Sequence, residues 1–227
     1  MNKNNTLEVH HYSLCPFSRK LRIILKEKGV NFELFHEPFW QRRKSFLKLN
    51  PACETPVIIT DNKLTLWGNN SITEYLEEAY TEKKLLPEDF DERAKVRRIT
   101  EWFDNKFYQE VTRYIFNEKI IKTVSRQGYP NSQAIQAAKS NINYHLEYIS
   151  HLRKGNMYLA GEDATVADFA AAAQLSVLDY VGDVPWGSHK SAKEWYALIK
   201  SRPSFKAILN DRIPNFAPPI HYPDPDF

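Results

Sequence analysis

The residues with most chemistry to offer sit early in the sequence, in Ser13-Leu14-Cys15-Pro16-Phe17-Ser18. Proline suits the first turn of a helix, so Pro16 places Cys15 at a helix start. Free backbone N–H groups and the helix dipole favour negative charge there, and a thiol so placed ionises more readily and becomes a nucleophile. The competing reading makes Cys15 a small residue that fills the helix start. The hydroxyls of Ser13 and Ser18 flank it. Cys53 is the other cysteine and reads as a buried structural thiol; two cysteines are too few for a disulfide scaffold. The seven histidines show no metal-ligand spacing, and His10 and His11 point to opposite faces of a strand, so at most one reaches any common site. No metal site, nucleotide loop or hydrolase triad is expected. Arg42-Arg43-Lys44 and the group Arg93, Lys95, Arg97 and Arg98 read as solvated helix faces rather than as a surface for an acidic partner.

These side chains need elements to hold them. Leu7 to Tyr12 reads as a strand feeding the Cys15 turn, and the helix that follows runs to about Lys28, where Gly29 stops it. Leu21, Ile24 and Leu25 recur on one face of this helix, while Arg19, Lys20, Arg22 and Lys26 take the other. Asn31 to His36 is a second strand and Trp40 to Leu49 a short helix. Val57–Ile59 and Lys63–Leu66 flank an Asp61-Asn62 turn as a hairpin, and a helix from Asn70 carries Ile72, Tyr75, Leu76 and Ala79. The order β-α-β-α-β-β-α, complete by about Tyr80, is thioredoxin-like.

The stretch from Thr81 to Asp91 is charged, contains Pro87 and suits a linker. Beyond it the pattern is helical: one long helix through Trp102, Phe103, Phe107, Tyr108, Val111, Tyr114 and Ile115, a second through Ile135, Ile142, Leu146 and Ile149, and a third from Val166 to Asp179. Shorter helices follow at 192–200 and 205–209. Thr165-Val166-Ala167-Asp168 is a capping box, a hydroxyl and a carboxylate spaced to satisfy each other's N–H groups, so both residues are structural. The expected organisation is an α/β thioredoxin-like domain over 1–83 and an all-α domain over 92–227, whose proline-rich, aromatic tail covers 214–227.

Bulk properties agree. Two domains suit 227 residues, and 42% hydrophobic with 26% charged residues is ordinary folded composition. A net charge of only +3, with both signs interspersed, calls for neither nucleic acid nor anionic lipid. The apolar stretch from Ala170 to Leu178 is interrupted by Gln174 and Ser176, and no charged-then-apolar leader opens the sequence, so a cytoplasmic protein without membrane contact is expected.

The string Tyr158-Leu159-Ala160-Gly161-Glu162, then Thr165 to Asp168, then Phe169-Ala170-Ala171-Ala172-Ala173, resembles the buried core helix of glutathione transferases. Thr55-Pro56-Val57 is similar to that family's loop before the third strand, where the proline is cis and the neighbouring backbone pairs with the cysteinyl part of glutathione. The resemblance covers nearly the whole chain and implies the two-domain glutathione transferase fold. Cys15-Pro16-Phe17-Ser18 is similar to the cysteine-bearing omega-type sequence, which implies Cys15 as the catalytic residue forming a mixed disulfide with glutathione, or Ser13 or Ser18 donating a hydrogen bond to the glutathione sulfur. The resemblance also puts Thr55, Pro56, Val57, Asn69 and Asn70 around the glutathione cleft, and brings Cys53 near enough to face Cys15. One departure counts against tight glutathione binding: the family's Glu-Ser or Asp-Ser before the third helix is replaced by Gly68 and Asn69, so Asn69, Asn70 and Ser71 are left to donate or to cap. The family also implies a homodimer, with Trp67 and the helix through Trp102 and Phe107 near a two-fold seam.

A narrower resemblance lies in Ser176–Tyr180, Gly182–Trp186, Ala192–Tyr196, Lys200–Phe205 and the ending His221-Tyr222-Pro223-Asp224-Pro225-Asp226-Phe227. These look like the FzlA group of alphaproteobacterial transferase-like proteins, which bind the division polymer FtsZ. The resemblance implies a binding protein for FtsZ with weak or absent glutathione conjugation; the alternative is an active glutathione-dependent transferase or thiol reductase using Cys15. The tail reads as a solvent-facing recognition segment in which His221, Tyr222 and Phe227 offer contact surface, or else as a tail that packs on its own domain.

Overall fold

The structure is a computed structural model and describes residues 6–214 and 216–224. Four strands form one sheet in the order β2-β1-β3-β4. β1 (Thr6–His11) runs parallel to β2 (Asn31–His36) and antiparallel to β3 (Val57–Ile59), which pairs antiparallel with β4 (Thr65–Trp67). The parallel pair needs a crossover, and α1 (Pro16–Glu27) supplies it. On β1 the alternate residues Leu7, Val9 and His11 turn inward. On the opposite face, a 3₁₀ turn (Phe39–Gln41) and α2 (Lys44–Leu49) close a second, smaller core of Phe46, Cys53 and Val57. Helix α3 (Asn69–Ala79) completes the thioredoxin-like half. This is the expected order, with the predicted Trp40 to Leu49 helix divided in two.

The segment expected to be a linker is pinned at several points. Leu85 and Leu86 are buried, their N–H groups donate to Glu77 Oε2, and Leu85 O accepts from Val166 N. Asp89 then caps α4 (Phe90–Glu101) by accepting from Asp91 N and Glu92 N. The backbone stays helical to Ser125, but it is π-helical over Trp102–Thr112 and Phe116–Ile121, with α5 (Arg113–Ile115) between these stretches and α6 (Lys122–Ser125) after them. The wider π turn re-aims side chains that a 3.6-residue period would place elsewhere.

Helices α7 (Ser132–Leu152), α8 (Val166–Tyr180), α9 (Lys190–Lys200) and α10 (Pro203–Leu209) follow. Every residue of α8 is buried, as fits a helix lined with alanine and enclosed by α1, α4, α9 and the first π segment. Its start is the expected capping box. Asp168 accepts from Thr165 N at 3.0 Å, and from Leu159 N and Trp195 Nε1 at 2.9 Å each.

The polar face of α1 differs from a solvated one. Arg19, Lys20 and Arg22 are buried because α8 and α10 pack against α1, and only Lys26 of the four stays exposed. Each buried cation has an acid from the helical half: Lys20 pairs with Asp104, and Arg19 and Arg22 share Asp211. At the end of α1, Glu27 accepts from Arg202 at 2.7 and 2.9 Å, from Ser204 Oγ at 2.6 Å and from Lys83. One continuous hydrophobic core runs through both halves, from Leu7 to Tyr222.

Candidate functional site

The turn after β1 is held at both ends. Cys15 N donates to Tyr12 O at 3.0 Å, Tyr12 N donates to the buried Ser18 Oγ at 3.4 Å, and Ser13 O accepts from Arg19 Nε at 2.8 Å. Cys15 is the N-cap of α1 in an extended conformation, with Pro16 as the first helical residue. Its Sγ donates to Thr55 O at 3.3 Å, a bond that needs the thiol proton. The Thr55-Pro56 peptide is cis, and Val57 begins β3 beside His10. Cys15 and Thr55, forty positions apart, are therefore in contact beside the cis peptide. Cys15 is only 5% exposed, and Ser18 has its oxygen committed to the backbone, so neither presents a free group to solvent.

Cys53 does not face Cys15. It adopts a positive φ of 58°, donates to Phe39 O at 3.2 Å and packs in the small second core; both cysteines are free thiols.

At the start of α3, Gly68 is the N-cap, with φ +88° and no capping side chain. Asn69 and Asn70 are the first helical residues rather than the caps. Asn69 Nδ2 turns to Asp104 Oδ2, which also receives Lys20 Nζ. Sequence reasoning missed Asp104 and Lys20, since their meeting depends on the π turn of one domain and a buried face of the other. Burial pushes the Asp104 carboxyl up, against the pull of Lys20 and Asn69. A cleft of about 330 Å³ opens here, walled by Phe17, Gly68, Asn69, Asn70, Ser71 and Asp104. Four residues on, Tyr108 lies against Phe17 at 4.8 Å, its phenol pushed up to about 12 by burial and then by the neighbouring Cys15.

The histidines are not assembled as ligands. His10 stacks on Phe35 at 5.3 Å, and burial pushes the His11 imidazole down to about 3. Among the described residues no group of three or more His, Cys, Asp or Glu is placed to hold a metal ion, and no helix is long and apolar enough to cross a membrane.

The tail overturns the expectation of a segment lying free in solvent. Tyr222 is 0% exposed and belongs to the main core. Its hydroxyl accepts from Arg19 Nη1 at 2.9 Å, and its ring meets Tyr180 at 5.2 Å. His221 Nε2 lies 3.1 Å from Asp179 Oδ1, and His221 O accepts from Lys200 Nζ at 3.1 Å. Phe216 stacks on Tyr180, whose hydroxyl donates to Phe216 O at 2.7 Å. The cores are not complete by Leu209, because a buried guanidinium and a buried carboxylate take partners from the tail. Ile220 projects, 98% exposed, and Phe227 lies outside the described residues.

Comparison with known proteins agrees with this architecture. The N-terminal domain profile of glutathione S-transferases matches residues 14–79, and the C-terminal domain profile matches residues 116–212. FtsZ-localized protein A of Caulobacter vibrioides is 42% identical over 222 residues, spanning 96% of this chain and 97% of that protein. A solved glutathione S-transferase from Rhodospirillum rubrum superposes with a TM-score of 0.95 at 46% identity, covering 97% of this chain and all of its own. The structure of FzlA from C. crescentus gives 0.94 at 42% identity, over 98% and 100% of the two chains. On the domain matches and on identity along its whole length, this chain belongs to the glutathione S-transferase family.

Proposed function

We propose that this chain is an FtsZ-associated binding protein built on the glutathione transferase scaffold, with weak or absent glutathione conjugation. The observation that carries the reading is the similarity to FtsZ-localized protein A, at 42% identity over 96% of this chain and 97% of that protein. The cleft supports the second half of the proposal. The N-terminus of α3, with Asn69, Asn70 and Ser71, fits a ligand carboxylate. The ammonium of a γ-glutamyl group is less well served: Gly68 replaces the acid, and Asp104 is already shared by Lys20 and Asn69. The Thr55 carbonyl is taken by the Cys15 thiol. This donor set does not fit glutathione in full, and no chemical step is assigned to it.

The protein is proposed to act in the cytoplasm as a homodimer. Trp67, 47% exposed on the edge strand β4, and the half-buried Trp102 suit a two-fold seam, whereas Phe107 is buried in the protomer's own core. The tail remains the proposed partner-binding element, through the projecting Ile220, the His221 edge and Phe227. The second reading, a glutathione-dependent thiol transferase, rests on one observation: Cys15 caps α1 beside the cis Thr55-Pro56 peptide.

The test pairs two measurements. Co-sedimentation of the full chain with FtsZ filaments is expected to be saturable, and calorimetric titration with glutathione is expected to give little or no heat at millimolar ligand. Tight glutathione binding with turnover of an electrophile, and no co-sedimentation, overturns the proposal.

A further inference from the structure

The buried guanidinium of Arg19 touches both the turn that carries Cys15 and the tail. Its Nε donates to Ser13 O at 2.8 Å, in the turn that carries Cys15, and its backbone N–H donates to Cys15 O at 3.0 Å, one helical turn away. From the other edge of the same planar group, Nη1 donates to Tyr222 OH at 2.9 Å in the tail and to Ser176 Oγ at 3.0 Å in α8, while Nη2 reaches Asp211 Oδ2 at 3.3 Å. The whole side chain is buried, so no water stands ready to replace a lost partner.

A guanidinium is a rigid fork whose five N–H bonds keep fixed relative directions. When Nη1 re-aims, Nε re-aims with it. We infer that Arg19 is a positioning residue coupling the seating of the tail to the order of the Ser13–Cys15 turn, so that a partner drawing Tyr222 off Arg19 loosens the cleft, and a ligand that needs an ordered cleft holds the tail down. The two sites are the cleft beside Thr55 and the tail at His221 and Tyr222. The two states are tail seated, with the Tyr222 hydroxyl on Nη1, and tail lifted, with Nη1 drawn to Ser176 alone. Linkage makes the effect reciprocal: whatever factor cleft occupancy imposes on tail release, tail release imposes on cleft occupancy. The use of this coupling in partner binding rests on the proposed function, but the coupling itself is a property of the chain alone.

The test therefore contains no FtsZ. Full-length protein is labelled with N-ethylmaleimide under native conditions, and the modification rates of Cys15 and Cys53 are followed separately by mass spectrometry. Tyr222→Phe keeps the ring in the core and removes only the hydroxyl. It is expected to speed labelling of Cys15 about tenfold, the scale of one hydrogen bond to a buried charge, and to leave Cys53 in the second core unchanged. Arg19→Lys, which keeps the charge beside Asp211 and cannot span both contacts, is expected to do the same, with no further rise when the two substitutions are combined. A Cys15 rate unchanged in Tyr222→Phe overturns the inference, and so does a rate rising in step with Cys53, which signals general loosening. Should Arg19→Lys not fold, the comparison of the two cysteines in Tyr222→Phe decides alone. Failure of co-sedimentation with FtsZ would leave these rates, and the coupling, untouched.

Discussion

Replacing Glu27 with glutamine tests how firmly the two halves are clamped. Glu27 ends α1, and its carboxylate binds Arg202 through both oxygens, Ser204 Oγ, and Lys83 from the connecting segment. Burial alone would push the carboxyl up, but the hydrogen bonds from Arg202, Lys83 and Ser204 outweigh it and hold the group down at about 2 against an ordinary 4.5. A difference of that size is linked to roughly 3 kcal/mol of folding free energy. Lys83 is about half exposed, and screening of that arm brings the expected contribution to about 2 kcal/mol. The folded-state value is depressed, so the contribution is complete above about pH 4.5 and is lost as pH falls towards 2. Urea unfolding of the wild type and Glu27→Gln should differ by about 2 kcal/mol near neutral pH, with the gap closing progressively below about pH 4. A gap equal at neutral pH and at about pH 3, or none at neutral pH, refutes the clamp. A clamp that joins the halves should also hold them to a single unfolding transition, which the coincidence of fluorescence and circular dichroism checks.

Four further outcomes rest on the packing. Tyr222→Ala empties a fully buried site and strips a partner from Arg19, so it should cost about 3–5 kcal/mol in a denaturation experiment, and truncation after Ala217 should cost at least as much. Cys15→Ser should leave the melting temperature within a few degrees and leave co-sedimentation with FtsZ intact, since a hydroxyl can donate to Thr55 O in place of the thiol; lost co-sedimentation would return Cys15 to the functional site. Gly182→Ala should destabilise by about 1–2 kcal/mol, because φ is +73° and a Cβ there would lie 3.2 Å from Pro219 Cγ, pressing on the tail; an unchanged melting temperature would mean that the tail does not seat against Gly182.

Local pattern carried much of the fold. Leu21, Ile24 and Leu25 at helical spacing, Asn31 to His36 as a strand, and the Thr165 to Asp168 box each depend on neighbours in sequence, and each lies where reading them placed it. Alternation and period say which residues share a face, but not what covers the second face. The charged side of α1 is the join between the halves, because Asp104 and Asp211 arrive 84 and 192 positions later. The register of the third helix was likewise one residue early at its cap: a glycine with no side chain to signal a cap holds the place assigned to asparagine. The tail shows the same limit from the other side. Its prolines and aromatics do mark an extended segment with contact surface, but Tyr222 spends that surface on the molecule itself.

The single core shared by both halves has a bearing on how such a chain can diverge. A boundary between a thioredoxin-like unit and a helical unit invites the idea of interchangeable modules, joined or swapped by recombination near the connecting segment. Here a swap would part Lys20 from Asp104, Arg19 and Arg22 from Asp211, and Glu27 from Arg202, leaving charges enclosed without their counterparts. Each half is thus inherited with the other, and change on one side of the join is admitted only as fast as the facing side can answer it.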